Sequence, residues 1–168
     1  MSISMFNASV TVFDRHLAQM AGYLTKGAAH AAEKKIDETV LTSMRIFPDM
    51  LPFSRQIQIA CDFAKGCSAR LAGVEIPKYE DTEKTFAELQ ARVQKTRDFI
   101  GSLKAEQFAG SDDKLISLTV AGNPLEIKGL QYLTMMATPN FYFHSTTAYN
   151  LLRQAGVPVG KRDFVGGN

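Results

Sequence analysis

The chain predicts an all-α protein: a four-helix up-down bundle with a short β-hairpin before the last helix. Four stretches carry apolar residues every three or four positions, and one stretch, Leu115 to Lys128, switches to strict alternation. The composition agrees, since 45% hydrophobic and 21% charged residues suit a folded protein with a packed interior rather than a disordered one. A length of 168 residues fits one domain spanning 1–168.

In the first stretch Phe6, Val10, Phe13, Leu17, Met20 and Leu24 form one stripe, predicting a helix from about Ser4 to Lys26. Gly27 is placed to end it, with a further short turn of helix over 28–35. Pro48 and Pro52 bracket a loop, and Pro52 suits the first turn of a second helix over 53–71, whose stripe includes Ile57, Ala60, Cys61, Ala64 and Leu71. Gly73 and Pro77 stop it.

A third helix is expected from Thr82 to about Phe108, with Thr82 and Thr85 as candidate caps and Phe86, Leu89, Val93, Thr96, Ile100 and Leu103 as its stripe. Ile116, Leu118 and Val120 then alternate with polar residues, Gly122-Asn123 makes a turn, and Leu125 and Ile127 alternate again, which is a hairpin. The fourth helix spans about Gly129 to Ala155. Pro139 inside it should kink it or divide it at Thr138.

Charge excludes some functions. Nineteen Lys and Arg against seventeen Asp and Glu leave +2, with the basic residues scattered, so the footprint of a nucleic-acid binder is missing. No apolar stretch is long enough to span a bilayer and the N-terminal residues do not form a secretory signal, so a cytoplasmic protein without membrane or nucleic-acid partners is expected. Cys61 and Cys67, six apart on one helix, point about 240° from one another and should be reduced core residues.

Familiar enzyme signatures are missing: there is no G-x-S-x-G, C-x-x-C or H-E-x-x-H. What remains are polar residues on faces that should turn inward. His144 shares a face with Phe141, Ala148, Leu151 and Ala155; Asn140 lies one turn before it and Tyr142 close by. His16 sits beside the first stripe, while Gln58 and Asp62 flank the apolar face of the second helix. His144, His16, Gln58, Asn140 and Tyr142 are the expected lining of a central cleft. An imidazole and a carboxylate from facing helices, His144 and Asp62, could hold a divalent ion or move a proton, and an inward histidine can equally be satisfied by one hydrogen bond. His30, in an alanine-rich surface turn, reads as solvated. Phe141, Tyr142 and Phe143 cannot all face one core, so at least one should be exposed or cover a partner, which points to a homodimer.

His144 followed nine residues later by Arg153, then Gly156 and Pro158, resembles the last helix of the DinB/YfiT-like superfamily. Pro48-Asp49-Met50, Gln58 to Asp62, Ala69 to Gly73 and Gly160 to Phe164 are similar to segments of an uncharacterised domain-of-unknown-function branch of it. The resemblance implies a four-helix bundle, often dimeric, in which three histidines hold a divalent metal and some members act as thiol transferases or hydrolases. In its terms His144 matches the last ligand, Asn140 stands where another histidine would be, and the second-helix ligand falls near Cys61 or Asp62. Two of three imidazoles are thus replaced. Asparagine is a poor ligand for zinc or nickel, while Asp62 suits harder ions such as manganese. The expectation is a small-molecule-binding bundle with a degenerate metal site; the alternative is a metal-dependent transferase or hydrolase using His144 and Asp62.

Overall fold

The structure, a computed structural model, describes residues 3–120 and 122–167. It is mostly helical, with one two-stranded antiparallel hairpin ahead of the last helices. A π-helical turn, Asn7–Thr11, leads into α1 (Val12–Lys34); α2 is Glu38–Thr42, α3 Phe53–Ala72 and α4 Phe86–Ser102. The hairpin strands are β1 (Leu115–Val120) and β2 (Asn123–Lys128). Then follow α5 (Gly129–Gln131), a π-helical turn Tyr132–Ala137, α6 (Thr138–Gln154) and α7 (Lys161–Val165).

Several boundaries differ from the sequence expectation, each for a physical reason. Gly27 does not stop α1. It is buried, and a side chain there would start 2.6 Å from the ring of Phe86, so the glycine lets α4 approach. The helix continues to Lys34 and ends at Lys35, which adopts the left-handed conformation with φ 54°. At its other end α4 starts later than Thr82: Thr85 accepts from the Glu88 amide while Glu88 accepts from the Thr85 amide, a reciprocal cap that fixes the start. It also closes earlier, at Ser102, with a separate 3-10 turn, Ala105–Phe108, beyond. Asn123 is not a turn residue; it opens β2 opposite Val120, leaving 121 and 122 as the connection, with Gly122 at φ 82° and Ala121 outside the described residues. Pro139 falls in the first turn of α6, and the wider π-helical turn just before it absorbs the backbone hydrogen bonds that proline disturbs.

The simple up-down order is corrected too. Asp14 meets Arg97 and Thr25 meets Gln90, so α1 and α4 are antiparallel. Gln56 meets His144 and Arg70 meets Tyr132, so α3 and α6 are antiparallel as well. Yet Phe53 packs on Phe86 and Asp62 on Arg92, which makes the consecutive helices α3 and α4 parallel. Residues 73–85 must therefore run back along the molecule. Extended, they reach about 40 Å, enough to return along the roughly 30 Å of α3. This strap is held by Arg92, buried in α4, which donates to Glu83 and to the Glu80 carbonyl and pairs with Asp81, and by Arg55, which pairs with Asp81. Tyr79 of the strap lies over Lys65 and Lys95, at 3.8 and 4.3 Å from its ring centre.

One apolar cluster joins these elements, with Phe13, Tyr23, Phe53, Phe86 and Phe141 fully buried in it. Cys61 and Cys67 are free and buried, and burial pushes both thiols up to about 12. Among the described residues no helix is long and apolar enough to cross a membrane.

Candidate functional site

The residues singled out from the sequence lie in three separate surroundings rather than one cleft. Around His144, α3 and α6 meet. Its Nδ1 is 2.7 Å from Gln56 Oε1, and Phe63 stacks near its ring at 6.2 Å and 16°. Gln56, almost wholly buried, donates its Nε2 to the Leu51 carbonyl at 2.9 Å, so its oxygen is the atom that faces the imidazole. Burial lowers the His144 pKa and keeps the ring neutral near pH 7. A neutral ring facing an acceptor must carry its proton on Nδ1, which leaves Nε2 as the lone-pair nitrogen.

His16 belongs elsewhere. Its Nε2 is 3.1 Å from Ser145 Oγ, and Phe141, Tyr142 and Phe164 present ring contacts at 5.4, 5.1 and 4.5 Å. Burial without a carboxylate partner pulls this imidazole down to about 4. His16 and Tyr142 together line a cavity of about 300 Å³ that α7 closes with Phe164 and Val165. Gln58 sits in a third place, beneath the strap, accepting from Arg55 at 2.7 Å and donating to Glu83 at 2.8 Å. His30 is not in a surface turn: it lies within α1, half-buried beside Gly156.

Asp62 and Asn140 line a cavity of about 400 Å³ between α3, the helix that ends in α6, and the hairpin. From α3 come Asp62, Phe63 and Arg70; β1 supplies Leu118, Thr119 and Val120; Tyr132, Met136 and Asn140 complete the wall. Asp62 accepts from Arg92 at 3.0 Å and pairs with Lys65 at 2.9 Å. Arg70 donates to the Tyr132 hydroxyl at 3.1 Å, and that phenol is pushed up to about 12, chiefly by burial, so it stays protonated. His144 is one turn beyond Asn140 on α6, and its stacking partner Phe63 is part of the cavity wall.

As a metal centre this donor set is thin. A transition-metal site draws on three or four side chains of the His, Cys, Asp and Glu kind. Among the described residues no group of three or more of these is placed to share an ion, and Asp62 is already occupied by two cations. His144 and Asp62 by themselves do not supply such a site.

Sequence reasoning missed Gln56, Arg70, Arg92 and the hairpin wall. Arg92 lies one turn before Thr96 on the buried stripe of α4, where a charge reads as an interruption until its three carboxylate partners are in view. The Gly66–Arg70 spacing of one helical turn was a readable signal, because a side chain at 66 would start 2.7 Å from Arg70 Nη1.

A helical fold with a hairpin-roofed cavity beside a half-buried histidine defines a DinB-like protein. The chain belongs to the family described as Domain of unknown function (DUF1993), whose model matches residues 5–165. It is similar to a DinB family member protein from Shewanella denitrificans, known from a crystal structure at 1.83 Å resolution: 35% identical, TM-score 0.89, with 98% of this chain and 93% of that chain covered. A search of the curated proteins found no match.

Proposed function

We propose that this DinB-like domain is a four-helix bundle that binds a small organic molecule in the cavity between α3, α6 and the hairpin, with His144 alongside as a neutral, Gln56-oriented imidazole. The observation that carries this reading is the cavity itself: about 400 Å³, walled largely by apolar side chains, with Arg70, Asp62 and Asn140 converging on it. Binding sites for small molecules have this size and this mixture of apolar wall and a few placed polar groups. The metal site of the superfamily is degenerate in this reading, because Asn140 replaces an imidazole and Asp62 is engaged by Lys65 and Arg92.

The test is ligand-observed NMR with a library of compounds below about 250 Da. Hits are expected that lose binding in Met136→Trp, which fills the cavity; a library without such hits overturns the reading. Tag-free protein should carry well under one equivalent of zinc, nickel or manganese. A stoichiometric ion that disappears in His144→Ala would favour the metal-dependent transferase or hydrolase instead.

Met135, in the π-helical turn before α6, is 73% exposed and Phe143, on α6, 56%, and we propose this surface as a homodimer contact. Sedimentation should give a dimer at micromolar concentration that Phe143→Glu disperses. A monomeric wild type would remove the proposal.

A further inference from the structure

Several cations near the strap or the α1–α4 contact are paired with carboxylates: Arg92 with Asp62, Asp81 and Glu83, Lys65 with Asp62, Arg97 with Asp14, Arg55 with Asp81. Arg70 breaks that pattern. Among the described residues its guanidinium has no carboxylate partner, and its side-chain hydrogen bond goes to a neutral phenol, the Tyr132 hydroxyl. It is half-buried, and among the described residues it is the one cation of the wall of the hairpin cavity.

A half-buried charge facing an apolar wall is costly unless something compensates it. The chain nevertheless makes room for it. Gly66, buried in the interior of α3, is a residue that weakens a helix relative to alanine, and Arg70 Nη1 occupies the space where its side chain would begin. The guanidinium thereby lies against α3 with Nη1 beside Gly66, and the same nitrogen is tied to the Tyr132 hydroxyl. Its planar fork has five N–H donors, of which this bond uses one.

We infer that the cavity takes an amphipathic carboxylate, its apolar body against Phe63, Leu118, Val120 and Met136 and its charged end forked by Arg70. The ligand class rests on the reading of the cavity as a binding site. Arg70 supplies the paired, coplanar donors that a carboxylate accepts, while Asp62, balanced by Lys65 and Arg92, does not compete for it. A cavity of about 400 Å³ accommodates an acid of roughly eight to ten heavy carbon atoms or a single aromatic ring on a short chain.

The experiment compares 3-phenylpropanoate with 3-phenylpropan-1-ol, two probes of nearly equal shape, by calorimetric or NMR titration of the full chain. The acid is expected to bind at least tenfold more tightly than the alcohol. Arg70→Met should erase that ratio while leaving the affinity for the alcohol within about twofold; Arg70→Gln, which keeps a donor for Tyr132, reads the same ratio should the methionine variant fail to fold. Equal binding of the two probes to the wild type, or a preference that survives loss of the Arg70 charge, overturns the inference and leaves the cavity as a site for neutral ligands. Failure of both probes, at concentrations where the NMR library also gives no Met136→Trp-sensitive hits, overturns the binding reading as well.

Discussion

Gln56 Oε1 lies 2.7 Å from His144 Nδ1, and the same glutamine donates through Nε2 to the Leu51 carbonyl, so a loop carbonyl at one end of α3 determines which nitrogen of a histidine on α6 carries the proton. Long-range nitrogen–proton NMR should find the Nδ1–H tautomer in the wild type. Gln56→Leu should turn the ring toward the common Nε2–H form and cost about 1–3 kcal/mol, since it leaves two polar groups without their partner. An unchanged tautomer in the variant would show that Gln56 does not set it.

His16 gives the fold a pH dependence whose sign follows from burial. Its pKa falls from 6.5 to about 4 on folding, so the unfolded chain binds the extra proton and stability drops as pH falls from about 6.5 toward 4. The full effect is about 3 kcal/mol, about half of it between pH 6.5 and 5, above the range in which most carboxylates titrate. His144, also lowered, contributes in the same direction. Urea unfolding from pH 7 to 4.5 should show this slope, and His16→Gln should flatten it; an equal slope in the variant would refute the assignment.

Gly27→Ala ordinarily strengthens a helix, but here it should destabilise by about 2 kcal/mol, because the new methyl meets the Phe86 ring at 2.6 Å. Phe86→Leu, destabilising by itself, should reduce that cost when combined with it. Thermal unfolding of the double-mutant cycle reads the coupling; additive effects would count against the close approach.

Arg92, itself buried, anchors the strap through Asp81 and Glu83 and ties it to α3 through Asp62. Arg92→Met should lower stability by about 1–3 kcal/mol, since Glu83 loses its cation while Asp62 and Asp81 keep only Lys65 and Arg55. Amide exchange in residues 76–84 should rise well above that in α1. Uniform loss of protection across the chain, with no excess in the strap, would mean that Arg92 stabilises the core instead.

The long helices, the hairpin and the half-buried setting of His144 were legible in the sequence, because apolar periods of 3.6 and 2 are local consequences of helix and strand geometry. The reciprocal cap of Thr85 and Glu88 and the place of Pro139 at the head of α6 are local in the same sense. What surrounds each polar side chain was decided by tertiary structure. His16, Gln58 and His144 share an inward tendency, yet packing sends them to Ser145, to Glu83 and to Gln56, in three different places. The parallel run of α3 and α4 likewise depends on the strap crossing back and finding Arg92. Residues 129, 88 and 25 positions apart in the chain meet only after the helices have chosen their neighbours, and that choice is made by the summed burial of whole faces, which no local spacing records.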